Sequence, residues 1–241
     1  MSDATNALGQ AKYQVRFDWG VDGAQRIAPG AHVVVLVDAL LATTQAVLAA
    51  ERGEAFRVAG SAASGSGGAG SGGADSIDPD AAGTATAAIA EALAGSGVTV
   101  LAASLRNREA VARRVLALQE SRGERLFVAV VAAGESAHVG SDADRAGARP
   151  AGGIRFAIED QLTAGAVIDA LVRLGIDHTS PEAAVASAAF EGLQHAAVHL
   201  IGASGSGASL TDAGRRADAR LATQRDVTDL VPLLRDGVFA A

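Results

Sequence analysis

Apolar residues in this chain fall into short solid runs, separated by stretches whose apolar positions recur every three to four residues. The clearest run is Val33-Val34-Val35-Leu36-Val37. It is too short to cross a membrane and rich in β-branched residues, so it reads as a buried parallel strand. Asp38 ends it. Thr43 and Thr44 then precede a helix carrying Ala46, Val47, Leu48 and Ala50, which runs to about Arg52, with Gly53 placed for a left-handed cap. Residues 98–103 and 126–133 repeat the pattern of a solid apolar run with polar residues behind it. Those followers are Ser104-Leu105-Arg106-Asn107 and Gly134-Glu135. Residues 13–19 read as a first strand closed by turns at Gly20 and Gly23, and 55–59 as a short one. Helical spacing covers 83–94, 109–120, a stretch opened by Glu159-Asp160, and 181–195. Residues 198–201 read as a late strand and 202–207 as a Ser/Gly loop, followed by a polar helix and a closing segment over 226–237.

Strands alternating with helices predict an α/β protein, three layers α/β/α around a largely parallel sheet. A single domain is expected over 1–241, with a polar leader at 1–12 and a polar loop at 136–153. Residues 61–76, nearly all Ser, Gly and Ala, predict a flexible surface loop. That stretch contains Gly65-Ser66-Gly67-Gly68-Ala69-Gly70. A dinucleotide fingerprint needs its glycines at a strand-to-helix turn. No apolar-periodic helix follows here, so the match is read as compositional.

Composition narrows the function classes. Aromatics make up only 3% of the 241 residues, so the core is built from Ala, Val, Leu and Ile. A net charge of −7 disfavours nonspecific binding to nucleic acid or an anionic membrane. An anionic substrate would need a local metal, arginines or helix N-termini. The chain has no cysteine, which removes disulfides, thiolate catalysis and thiolate-held zinc and suits a reducing cytoplasm. No secretory signal is visible at the start, and no apolar stretch reaches the ~18 residues of a membrane span.

In open α/β sheets, ligand chemistry sits beyond the carboxyl ends of the strands, beside helix N-termini. Asp38 occupies such a place, as a metal ligand or polar catalyst, or as a turn cap. Arg106 follows a strand end and could clamp an anion in two-pronged fashion, or pair with an acid. Asn107 suits a helix cap. Glu159 and Asp160 suit a helix start on electrostatic grounds alone. Ser104 has no histidine placed by motif to activate it, which argues against a serine triad. His195 and His199 are four apart, but the strand reading of 198–201 argues against a helical zinc pair.

Taken in order, several segments resemble the 2-phosphosulfolactate phosphatase (ComB) family, especially its actinobacterial-type members. They are Arg16-Phe17-Asp18-Trp19-Gly20 with Asp22-Gly23, and Val35 to Leu40 with Thr43-Thr44. Residues 99–111 around Ser104-Leu105-Arg106-Asn107 follow, then Val130 to Glu135. The last are Ile158-Glu159-Asp160 with Ala164-Gly165-Ala166, and Asp226 to Gly237. Leu41 stands where the family pattern often has arginine. Ala82-Gly83-Thr84 replaces an Asn-Gly-Thr/Ser turn, and 61–76 replaces a more structured segment.

The resemblance implies a magnesium-dependent hydrolase, whose namesake reaction removes phosphate from 2-phosphosulfolactate on the route to coenzyme M. On this reading Asp38, Glu135 and Asp160 bind Mg²⁺, with Asp160 touching the ion or one step behind it. Asp38, Arg106 and Asn107 form the catalytic set. Thr43, Thr44, Gly83, Thr84 and Ser104 offer donors to the substrate anion. Water activated by the metal is the preferred nucleophile. The expected partner is a small anionic phosphate ester, with no nucleic acid or membrane, and homodimers are expected because α/β enzymes commonly form symmetric oligomers. The alternative is a catalytically decayed relative that binds a small molecule or a protein.

Overall fold

The computed structural model describes residues 7–58, 84–136 and 154–241. The glycine match at 65–70, the loop at 137–153 with its His138, Asp142, Asp144 and Arg149, and Gly83 lie outside the described residues. In chain order the elements are β1 (Val15–Trp19), α1 (Gly20–Ile27), β2 (Val33–Val37), α2 (Ala42–Glu51), β3 (Phe56–Arg57), α3 (Thr84–Leu93), β4 (Thr99–Ala103), α4 (Arg108–Arg122) and β5 (Val128–Ala132). There follow β6 (Glu135–Ser136), β7 (Ile154–Arg155), α5 (Ile158–Arg173), α6 (Pro181–Leu193), α7 (Ala197–Gly202), α8 (Gly205–Asp212), α9 (Arg216–Ala222), β8 (Leu233–Arg235) and β9 (Val238–Ala240).

Seven strands form one sheet in the order β1-β5-β2-β4-β8-β9-β3. The four long strands run parallel, and β8, β9 and β3 extend them as an antiparallel wing. Trp19 pairs with Ala132, Ala132 with Val37, and Val37 with Ala103. The carboxyl ends of all four parallel strands therefore line up on one edge.

Why β2 is apolar throughout follows from its place. Val33, Val35 and Val37 pack with Val111 and Val115 of α4 and with Val167 and Leu171 of α5. Val34 and Leu36 meet Ala24 and Ile27 of α1, Ala46 of α2, and Ile89 and Leu93 of α3. Both faces are covered, which gives the three layers that the alternation of strands and helices predicts. A third apolar cluster joins Leu40, just after β2, and Leu105, just after β4, to Leu162, Phe190, Ile201 and Leu210. Through it the small helices α7 to α9 pack against the carboxyl edge.

Three segments differ from expectation. Residues 20–27 form α1 instead of a turn: Gly20, Gly23, Ala24 and Ile27 are buried at helical spacing, a stripe of small residues that suits close packing. Residues 197–202 form α7 instead of a strand, burying Ala197 and Ile201 one turn apart and leaving Val198 exposed. The Ser/Gly stretch from 205 begins α8, where the Ser204 hydroxyl caps the helix by accepting from the Gly207 N–H at 3.0 Å. In each, packing outweighs weak intrinsic propensity. Gly53 does take the left-handed conformation, at φ 73°.

At the opposite edge Arg16, 2% exposed, donates to the carbonyls of Ala11, Tyr13, Ile27 and Pro29, which fastens the chain before β1 to the end of α1. Among the described residues no helix is long and apolar enough to cross a membrane.

Candidate functional site

Two carboxylates meet where β2 and β5 end. Asp38 follows the last residue of β2, at the N-terminus of α2. Asp160 lies in the first turn of α5, and its two oxygens reach across the neighbouring strand ends. Oδ1 accepts from the Ala39 N–H at 2.7 Å and Oδ2 from the Gly134 N–H at 2.8 Å. Gly134 has φ 68°, and a Cβ there would fall 2.4 Å from the Ile154 side chain, so glycine is what lets this turn present its N–H. On the other side, the Thr86 hydroxyl of α3 donates to Asp38 Oδ2 at 2.7 Å. Asp38, Glu159 and Asp160 are all buried, at 6%, 3% and 3% exposure.

Burial without a counter-charge governs the electrostatics. Desolvation, together with the charge of Glu159, raises the Asp38 carboxyl to about 6, against the pull of Thr86 and the Leu41 and Ala42 N–H groups. Asp160 is pushed well above the usual carboxylate range by burial first, then by the charges of Asp38 and Glu159. Among the described residues no cationic side chain figures in the main charges acting on either. Removing a proton from this cluster is unfavourable until a positive charge compensates it.

The threonines after β2 are turned onto the backbone. Thr43 Oγ1 accepts from the Asp38 N–H and donates to the Asp38 carbonyl, each at 2.9 Å, while Thr44 donates to the Ala39 carbonyl. Thr84 opens α3 two residues before Thr86.

One strand further on, the residues after β4 form a separate knot. Arg106 makes a two-pronged contact at 2.8 Å with both carboxylate oxygens of Glu51, donates again to Glu51 through Nε, and gives Nη1 to the Leu221 carbonyl and Gln224. Its five N–H groups are thereby engaged. Asn107 heads α4 by position, but its side chain turns back. Oδ1 accepts from the Ser104 N–H and hydroxyl, and Nδ2 donates to the carbonyls of Ala102 and Leu230. The Ser104 hydroxyl accepts from the Arg106 N–H at 3.2 Å.

Glu135 lies directly after the Gly134 turn, yet its carboxylate pairs with Arg155 across the β6–β7 ladder. Among the described residues no three His, Cys, Asp or Glu side chains form a set that could hold a metal by themselves.

A sequence profile of the 2-phosphosulpholactate phosphatase family matches residues 82–237, about two thirds of the chain. The chain belongs to this family. A comparison with curated proteins found no match. The family's name is that of a phosphatase, so the activity class is phosphate-ester hydrolysis. The matched span takes in α3 with Thr86, the Ser104–Asn107 knot, Glu135 and the acids of α5. Asp38 lies ahead of it, and geometry joins it to the family region through the Ala39–Asp160 bond.

Two residues of this site carry only a faint signal in the sequence. Thr86 shares a buried stripe with Ile89, Ala90 and Leu93, so a lone hydroxyl on the inward face of an Ala-rich helix was its signal. Glu159, an available acid at a helix start, is the third buried carboxylate, and it accepts from the Ser206 hydroxyl of α8. Nothing in the spacing connects residue 159 with residue 206.

Proposed function

We propose that this chain is a magnesium-dependent phosphatase of the cytoplasm, acting on a small anionic phosphate monoester of the kind its family's name describes. The observation that carries the reading is the pair Asp38 and Asp160. These are two buried carboxylates, Asp38 at the end of β2 and Asp160 held across the ends of β2 and β5, raised in pKa by burial and like charge. Mg²⁺ commonly takes one or two carboxylates and fills its octahedron with water and substrate phosphate oxygens. That donor set fits a pair of acids better than it fits a complete protein cage. When bound, the ion would supply charge neutralisation on the phosphoryl oxygens.

The chain's own residues divide the remaining work. Asp38 and Asp160 hold the ion. Thr86 keeps the Asp38 carboxylate turned into the site, and the Ala39 and Gly134 N–H groups fix Asp160. Thr43 and Thr44 shape the turn after β2, and their contribution to the anion is through that turn. Arg106, Ser104 and Asn107 hold the end of β4 beside the site. Glu135, engaged with Arg155, is left out of the ion's donors.

The test is phosphate release from p-nitrophenyl phosphate and 2-phosphosulfolactate with Mg²⁺ present. A chelator should abolish it, and Asp38→Asn should lower it by about a hundredfold or more, the scale of losing a main electrostatic contributor at a reacting phosphoryl group. Turnover that survives chelation, or full activity in Asp38→Asn, would falsify the reading. Saturable binding of either ester without any hydrolysis would point instead to a relative that binds but does not cleave.

A further inference from the structure

We propose that Arg155 is a specificity residue that recognises a second anionic group, carboxylate or sulfonate, on the substrate. This rests on the phosphatase reading above. A multiply charged ester approaching three buried acids needs positive charge beyond a single ion. Arg106, three residues past the carboxyl end of β4, has its donors spent inside the fold. Arg155 differs. Its side chain is 54% exposed, and its partner Glu135 is itself 28% exposed. Ion pairs this open contribute little and exchange readily for another anion.

Its position is built into the fold. The guanidinium lies against Gly205, the first residue of α8, where a Cβ would fall 2.8 Å from one terminal nitrogen and 3.1 Å from the other. Glycine at 205 makes that room. The next residue, Ser206, donates to Glu159, whose charge acts on both Asp38 and Asp160. Consecutive residues of α8 thus touch the two groups, Gly205 the guanidinium and Ser206 the acid cluster. The guanidinium also faces the positive end of an eight-residue helix, where a like charge gains nothing until an anion comes between them.

The experiment compares p-nitrophenyl phosphate, whose phosphate is its one ionised group, with 2-phosphoglycolate, which adds a carboxylate. Arg155→Ala should lower kcat/KM for phosphoglycolate about tenfold more than for p-nitrophenyl phosphate, chiefly through KM, as expected for one charged hydrogen-bonding partner. Arg155→Lys should fall between. Gly205→Ala keeps the charge but displaces the guanidinium, and should shift the same ratio in the same direction by several-fold. Equal losses on both esters, or no loss, overturn the assignment. If the wild-type protein hydrolyses neither ester, the phosphatase reading fails by itself. Calorimetric titration of 2-phosphoglycolate into the protein with Mg²⁺ then decides this one. Binding about tenfold weaker in Arg155→Ala supports it, and unchanged or absent binding overturns it.

Discussion

Two buried polar knots occupy the same edge of the sheet, one strand apart, and they treat charge in opposite ways. After β4, Arg106 meets a carboxylate, a carbonyl and an amide oxygen, so that each of its donors has an acceptor. After β2 and β5, the charge of Asp38 acts on Asp160 and that of Glu159 acts on both, opposed among the described residues by the Thr86 hydroxyl and backbone amides. The first knot is complete within the chain. The second gathers, among the described residues, charges of one sign. Burial of charge is therefore a poor marker of function, and lack of compensation is a better one.

The contrast is sharpest in what removal does. Arg106→Ala strands the Glu51 carboxylate, the Leu221 carbonyl and Gln224, and should destabilise the protein by about 3 kcal/mol, towards the lower end for a broken buried pair because Glu51 is partly exposed. Urea denaturation measures this. The double variant Arg106→Ala/Glu51→Ala should recover part of the loss. A loss well under 1 kcal/mol for the single variant would mean that this knot too depends on a ligand.

Asp38→Asn should do the reverse. Burial pushes the folded-state carboxyl up to about 6, above the usual carboxylate range, so the native state binds the proton more tightly than the unfolded chain. The resulting stability is fully present below about pH 4 and is lost as pH rises through about 6, a change of about 3 kcal/mol. The asparagine variant carries no such penalty. It should match the wild type near pH 4, exceed it by up to about 3 kcal/mol at pH 7.5, and lose that advantage when Mg²⁺ is added. Denaturant midpoints at the two pH values, with and without the ion, check all three. A constant difference across pH would mean that Asp38 is compensated after all.

Asp160 separates charge from geometry within the cluster. Both of its oxygens accept backbone N–H groups, from Ala39 and Gly134. An amide at this position must turn its own NH₂ against one of them. Asp160→Asn should therefore destabilise by about 2 kcal/mol at pH 7.5, because an unsatisfied buried donor costs that much. Gain of stability, as in Asp38→Asn, would show that Asp160 is held as loosely as Asp38.

Much of this edge was legible in the chain. The runs at 33–37 and 128–132 are solid because strands covered on both faces need no polar side, and the strand-end rule places Asp38. Asp160 follows from the helix start. The partners were not legible. Glu51 lies 55 residues before Arg106 and Gln224 lies 118 after it, and no periodicity encodes such a pairing. The helices at 20–27 and 205–212 were hidden by glycine and serine, which have low intrinsic propensity but supply the close packing that holds them. Local pattern reports what a segment buries. It does not report what a side chain at its end will meet.

Thr86 is where that limit can be measured. Its hydroxyl donates to Asp38 Oδ2 at 2.7 Å with no solvent exposure, and it favours the charged carboxylate. Valine has the same shape without the donor. Thr86→Val should leave stability near pH 4 almost unchanged, where Asp38 is protonated, and lower it by about 1 kcal/mol at pH 7.5, where the carboxylate needs the bond. The same loss pushes the carboxyl further up, so protons compete better and Mg²⁺ affinity falls with it. Thr86→Ser restores the hydroxyl and should recover both effects. If valine destabilised equally at the two pH values, the hydroxyl would be acting on packing alone, and Asp38 would owe its orientation to the turn formed by Thr43 and Thr44.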